Sequence, residues 1–414
     1  MKYLLIIGDG MADNPLPELG EKTPLEYANI PTMDALAGAG VLGSVLTVPE
    51  SMPAGSDTAI LSIFGCDPVL FHCGRAALEA AAKGIKLSPT DIAYRCNMIT
   101  IDSSTQEAPI AFEEKKILSH SAGAISGETA DILVTDLFNT PAFKEASEKA
   151  GISIYPGNSF RHIAVQSGRD GQPDVEFLTP PHDHIGDAIG QHLPKGGEGA
   201  EKLTELIRLS HEILEDHPIN IKRRKNGELA ANCIWFWAQG SAAELPSFEK
   251  KYGKSGSVIS AVPLCQGIGA LMGLEKITVE GATGELNTNY EGKVEAALKS
   301  LETHDFTVIH VEAPDECTHN GDLKGKLQAI EWIDSRVIKP LKEKLDCAGT
   351  KYKMMIISDH KTLMSTRGHC GEPVPFIIYD SCAEKQTGFR YNEKDAEKGV
   401  SIETGTKLLE MLFK

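Results

Sequence analysis

The sequence predicts an α/β protein built on a mainly parallel sheet, with an α+β domain inserted into it. Three observations lead there. Short apolar, β-branched runs alternate with amphipathic stretches at both ends of the chain, the pattern of strands covered by helices on both faces. Between about residues 89 and 227 the texture changes to shorter strand-like runs separated by turns and long amphipathic helices. Acids and histidines recur directly after the apolar runs, at the carboxyl ends of the expected strands, where open α/β sheets bind their ligands.

Taken in order, "YLLIIGDG" reads as a central strand closing in Gly-Asp-Gly. "NIPTMDALAGAG" is a helix with Pro31 at its start and Gly38 or Gly40 at its end. "GSDTAILSIFG" is a helix opening at Ser56, and "RAALEAAAKG" is another. Residues 1–88 and 228–414 are expected to form the core domain and 89–227 the insertion. In the insertion, "DIAYRCNMITID", "ISIYPGNSFRHIAVQSG" and "DVEFLTP" look like strands, "AISGETADILVTDLFN" and "GAEKLTELIRLSHEILEDH" like helices, and "KRRK" (222–225) like a solvated hinge. Alternation then resumes. "CIWFWAQG", "SVISAV", "KITVEGA", "FTVIHVEA", "MMIISD" and "VPFIIYD" are expected strands. "VEAALKSLE", "KLQAIEWIDSRVIKPLKEKL" and "SIETGTKLLEMLF" are expected helices. Trp235 and Trp237 read as core positions of a strand.

Composition excludes some partners. The 414 residues carry a formal charge of −17, which repels phosphate backbones and acidic lipid, so neither nucleic acid nor membrane is an expected partner. A small anionic substrate requires local cations. Nine cysteines with no C-x-x-C pair read as free thiols in a reducing compartment. The N-terminal apolar run is short for a signal peptide and Asp9 interrupts it; no run approaches the ~20 residues that span a bilayer. The expectation is a cytoplasmic protein.

Asp9 ends the first strand, Asp315 follows "FTVIHVEAP" with His319 one helical turn on, and Asp359–His360 follow "MMIIS", with His369 in the next loop. Carboxylate and imidazole donors suit divalent ions. Each residue alone reads equally well as a capping aspartate or a surface histidine, but chance capping does not place histidines at the same edge. Ser56 follows Gly55 at a helix start, where backbone N–H groups favour an anion; a simple N-cap is the alternative. A serine there is a candidate nucleophile. His182 and His184, two apart in "PPHDHIG", resemble a weak metal motif but read rather as a lid-loop contact or a plain exposed turn, and Cys317 and Cys370, beside the proposed ligands, read as packing thiols.

The ordered motifs "GDGMAD", "GSD", "EAPDE…H", "SDH" and "HCGEPVPF" resemble the alkaline phosphatase superfamily of metalloenzymes. More closely, with "GEKTPLEYA", "YRCN", "SAG", "FRH", "PPHD", "WFWAQG" and "GATGELNTNYEGK", nearly the whole chain is similar to the archaeal-type, cofactor-independent phosphoglycerate mutases. The resemblance implies a three-layer alkaline-phosphatase-like core with the insertion as a substrate-binding lid. It implies two divalent ions (manganese, zinc, cobalt or magnesium), one on Asp315, His319 and His369, the other on Asp9, Asp359, His360 and the Ser56 oxygen. Ser56 becomes the phosphorylated residue, and Arg161, His162, Arg95, Arg75 and Lys293 are the substrate contacts. The implied reaction interconverts 3-phosphoglycerate and 2-phosphoglycerate without 2,3-bisphosphoglycerate. A phosphatase, a phosphotransferase acting on a small alcohol such as homoserine, and a non-catalytic metal-binding regulator are the alternatives. The sequence departs from the family pattern at Ala76, Ala124, Lys361 and Cys370, none of them a proposed ligand, and in a long connection over 102–120.

Overall fold

The computed structural model describes residues 1–103, 110–157, 159–168, 174–383 and 386–414. They divide into two compact units, Met1–His72 with Glu244–Lys414, and Cys73–Ala243.

The first unit holds an eight-stranded sheet in the order Val400–Ile402, Val41–Val45, Val374–Asp380, Tyr352–Ile357, Lys2–Gly8, Phe306–Val311, Gly256–Ile259, Glu275–Ile277. Among these strands, only Val374–Asp380 runs antiparallel to its neighbours. The central strand, Lys2–Gly8, is buried along almost its whole length, because helices cover both faces of a parallel sheet. Leu4 and Ile6 enter one apolar cluster with Ile309, Met354 and Ile356. Leu5 and Ile7, equally buried, point to the other face by the two-residue alternation of a strand. Each such side chain contributes about 1.5–3 kcal/mol through burial. Register brings the strand ends level. Gly8 lies opposite Val311, and Ile7 opposite Ile357. The chain therefore leaves three neighbouring strands at one edge, with Asp9, the helix Ala313–His319 and Ser358–His360 as the next residues.

The second unit centres on the fully buried strand Ile92–Ile101. It pairs antiparallel with Cys233–Ser241 and with Arg161–Gln166, which in turn pairs with Ile152–Tyr155. The helices Gly127–Asn139, Pro141–Ala150 and Gly197–Leu214 supply Leu133, Phe143 and Leu206 to its main core. The helix Arg75–Ala82 packs Ala76 and Ala80 on Ala93, Ile163 and Val165. This unit thus extends beyond residues 89–227 at both ends. The helix before it lies on its sheet, and "CIWFWAQG" joins that sheet, not the parallel one.

Other elements also differ from the sequence reading. "DVEFLTP" forms only an isolated bridge, Phe177 to Lys195. "KRRK" forms the last turn of the helix Pro218–Lys225, where cations oppose the helix dipole, and is not a hinge. The long helix after residue 323 is interrupted by a wide π turn, Ile333–Ile338. Pro340 follows at once and has no N–H to give to the α-helical ladder. The closing helix is short, Leu408–Phe413, after an edge strand Val400–Ile402. The long connection over 102–120 falls partly on 104–109, outside the described residues. Among the described residues, no helix is long and apolar enough to cross a membrane.

Candidate active site

The three strand ends bring Asp9, Asp315, Asp359, His360 and, through two short strands, His369 into one cluster. Ser56 joins it from the first turn of the helix Ser56–Ile63, with Gly55 as the cap. Its Oγ lies 3.1 Å from His360 Nε2 and 3.4 Å from Asp9 Oδ2. Gly10 makes the close approach possible. Its φ is +60°, its N–H donates to Asp359 Oδ1, and a Cβ there would stand 2.4 Å from Thr362 Oγ1 and 2.8 Å from Asp315 Oδ1.

Hydrogen bonds fix which ring nitrogens are available. Thr362 Oγ1 donates to Asp315 Oδ1 at 2.6 Å, so its lone pair accepts from His360 Nδ1 at 3.2 Å. The lone pair of neutral His360 is then on Nε2, which faces Ser56, Asp9 (3.5 Å) and Asp359 (3.4 Å). His319 Nδ1 donates to the Arg367 carbonyl at 2.8 Å, so in the neutral ring Nε2 is the free nitrogen. It meets Asp315 Oδ2 at 3.1 Å and His369 Nε2 at 3.0 Å. Asp9, Asp359 and His360 offer three ligand atoms within 4.8 Å of one another, and so do Asp315, His360 and His369. His360 stands in both groups, whereas the sequence assigned it to one.

These residues fit divalent ions. Asp9 Oδ1 and Asp359 Oδ2 are buried with no hydrogen-bond partner, a costly state for carboxylate oxygens unless a cation faces them. Burial, then the charges of Asp359, Asp315 and Glu312, holds the Asp9 carboxyl well above the usual range. Burial also pushes Asp315 up, but hydrogen bonds from His319 and His369 and the neighbouring imidazole charges outweigh it and hold Asp315 well below. The hydrogen bond to Asp315 lifts His319 to about 9. Burial lowers His360.

The sequence missed His310, Ser260 and Thr362. His310 Nε2 donates to Asp9 Oδ2 at 3.0 Å, and its Nδ1 faces the Ser260 hydroxyl at 3.1 Å. Burial pushes this ring down to about 3, so it serves Asp9 as a neutral donor. A histidine inside the apolar run "FTVIHVEA" was the available signal.

The five expected substrate contacts are placed differently from one another. Lys293, in the first unit, is buried and its Nζ donates to the His310 carbonyl at 2.8 Å; burial lowers it to about 8. The other four lie in the second unit. Arg95 is buried, doubly bonded to Glu79, with its guanidinium 4.5 Å from the Trp237 ring centre. Arg75 is largely exposed, 3.8 Å from Glu79. Arg161 is half-buried beside the Phe160 ring. His162 is fully buried, its Nδ1 accepting from the Gly157 N–H at 2.9 Å. Lys293 and His162 are buried and hold backbone groups.

A family model described as 2,3-bisphosphoglycerate-independent phosphoglycerate mutase matches residues 37–220. A 2,3-bisphosphoglycerate-independent phosphoglycerate mutase from Methanosarcina acetivorans is 44% identical over 97% of this chain and 96% of its own length. The chain belongs to this family. Among solved structures, a Pyrococcus horikoshii protein is 31% identical with a TM-score of 0.80, covering 99% of this chain and 96% of that one. The cofactor-independent phosphoglycerate mutase from Thermoplasma acidophilum shares the fold, with a TM-score of 0.61 at 24% identity, over 100% of this chain and 99% of that one. Membership of the mutase family thus rests on full-length similarity, and the Asp–His–Ser cluster is this member's own geometry.

Proposed function

We propose that this chain is a phosphoglycerate mutase that interconverts 3-phosphoglycerate and 2-phosphoglycerate through phosphorylated Ser56, without 2,3-bisphosphoglycerate. The observation that carries the reading is the placement of Ser56 Oγ, 3.1 Å from His360 and 3.4 Å from Asp9, at a helix start beside two sets of carboxylate and imidazole donors. Asp9, Asp359, His360 and Ser56 would hold one divalent ion and Asp315, His319 and His369 a second, with His360 at their junction. Bound there, such ions supply Lewis-acid charge for a phosphoryl group and lower the pKa of a hydroxyl.

The chain's own residues do the rest. The helix start at Ser56 directs backbone N–H groups at an incoming phosphate. The Ser56 oxygen forms a bond to phosphorus as the bond to the substrate's O3 breaks, and the serine proton ends on the released hydroxyl. The same exchange in reverse, onto O2, gives the isomer. His310 keeps Asp9 oriented through its Nε2–H. We assign recognition of the substrate's anionic groups to Arg161 and Arg75, since guanidinium forks suit phosphate and carboxylate, while Arg95, buried and doubly bonded to Glu79, has its fork already filled. Hydrolysis of phospho-Ser56 would make a phosphatase, so the mutase reaction requires that water be kept from it. The test is an enolase-coupled assay with each isomer, on chelated protein reconstituted with manganese, cobalt, zinc or magnesium. Isomerisation in both directions without added bisphosphoglycerate supports the reading. Phosphate release without isomerisation overturns it in favour of hydrolysis.

A further inference from the structure

We propose that His184, Asp187 and His192, all in the second unit, bind one divalent transition-metal ion, at a site built from none of the residues of the candidate active site. The three side chains offer ligand atoms within 4.8 Å of one another. His184 Nδ1 lies 3.1 Å and His192 Nε2 3.5 Å from the same oxygen, Asp187 Oδ2. The two rings stack, with centroids 3.8 Å apart and planes 22° apart. Stacked rings aimed at one carboxylate oxygen cannot both be imidazolium without like-charge repulsion. As a hydrogen-bond arrangement the trio is poor, since 3.5 Å is long for N–H···O. A cation between two imidazole lone pairs and the carboxylate satisfies all three.

The backbone holds the three positions without help from the side chains. His184 ends the 3-10 turn Pro181–His184, and the Asp187 N–H donates to its carbonyl. Gly186 and Asp187 bond Ile117 in both directions, Ile189 donates to Lys115, and His192 donates to Ile189. The side chains are partly exposed, at 29%, 56% and 15% for His184, Asp187 and His192, so water can complete the shell. Two nitrogens and one oxygen select zinc, cobalt or nickel over magnesium or calcium, which take oxygen donors. Bound metal would tie His184 to His192 within the 181–192 segment. That segment carries His182, whose ring sits 5.1 Å from that of Trp237. The pairing was hidden in the sequence, where only His182 and His184 stood close together.

The experiment uses the full chain, stripped with chelator and titrated with cobalt. In a His319→Ala/His360→Ala/His369→Ala background, cobalt should bind once per chain with ligand-field absorption, and adding His184→Gln/His192→Gln should abolish it. In the otherwise wild-type chain, His184→Gln/His192→Gln should bind one zinc ion fewer, measured by elemental analysis after dialysis. Its metal-free circular dichroism and melting temperature should match metal-free wild type. An unchanged zinc count in that double variant overturns the proposal, and this comparison decides even if the triple background does not fold. Mutase activity is a separate readout. Its loss or survival bears on Ser56 and leaves the ion count untouched.

Discussion

Replacing Lys326 by methionine should destabilise the first unit and weaken metal binding together. Lys326 is fully buried in the helix Leu323–Trp332. Its Nζ donates to Asp13 Oδ2 at 2.9 Å and to the Thr362 carbonyl at 2.6 Å. Methionine fills nearly the same volume, so no cavity term enters. What remains is a buried carboxylate without its cation, which costs about 3–5 kcal/mol. Asp13 keeps the N–H groups of Asn14 and Met364, at 2.7 and 3.1 Å, which places the loss at the lower end, about 3 kcal/mol. The orphaned Thr362 carbonyl adds about 1 kcal/mol. Thr362 bonds both Asp315 and His360, so a shift of its backbone disturbs both donor groups. The assay is urea unfolding read by Trp332 in a Trp235→Phe/Trp237→Phe background, which confines the signal to the first unit. Chelator competition gives metal affinity. Asp13→Asn/Lys326→Met, which removes the stranded charge, should recover most of the pair term. A loss below about 1 kcal/mol for the single variant, or no recovery in the double, refutes the reasoning.

Ser56→Ala should lower mutase activity by about a thousandfold or more while the chain still folds and binds metal, measured by coupled assay and elemental analysis; retained activity would remove the phosphoserine route. Gly10→Ala should cost about 1 kcal/mol for the left-handed backbone alone. The added Cβ, 2.4 Å from Thr362 Oγ1, should also displace Asp315 and weaken metal binding; wild-type affinity would contradict the close approach. His162 is buried neutral, pushed down to about 4 by burial, so the unfolded chain takes up a proton near pH 6.5 that the folded chain refuses. Its share of the second unit's stability is full above pH 6.5, falls as pH drops, and is lost by about pH 4. It amounts to about 3 kcal/mol, and His162→Gln should flatten the denaturation midpoint against pH in that window.

The sequence exposed the parts of the site that obey local rules. Asp9, Asp315 and Asp359 each follow an apolar run, and parallel strands buried on both faces announce their own ends. Ser56 was legible because a helix pattern begins there. What stayed hidden depends on register or on distant pairing. His310 meets Asp9 only because Ile7 lies opposite it in the parallel ladder, a pairing no single strand encodes. Lys326 and Asp13 are 313 positions apart, and each alone looks like a surface residue. The second unit's limits were missed because "CIWFWAQG" has the same apolar texture whether it joins a parallel or an antiparallel sheet.

The segment 358–362 explains why the two donor groups act as one centre. In five residues after one strand it sends Asp359 toward Asp9, places His360 between the groups, and uses Thr362 to bind Asp315. Ser358 locks it to the first strand end, its Oγ accepting from the Ala12 N–H and donating to the His360 carbonyl. Thr47 donates to the Asp359 carbonyl from a third direction. Hydrogen bonds thus tie this short stretch to the first strand end and to Thr47. A chain carrying −17 overall has no general attraction for a phosphorylated acid. The buried carboxylates would worsen that repulsion, so cations held at this segment would add to the attraction that arginines supply. Loss of metal should therefore weaken substrate binding as well as abolish turnover, and calorimetry with 3-phosphoglycerate on chelated protein checks it: binding at wild-type affinity without metal would contradict this contribution.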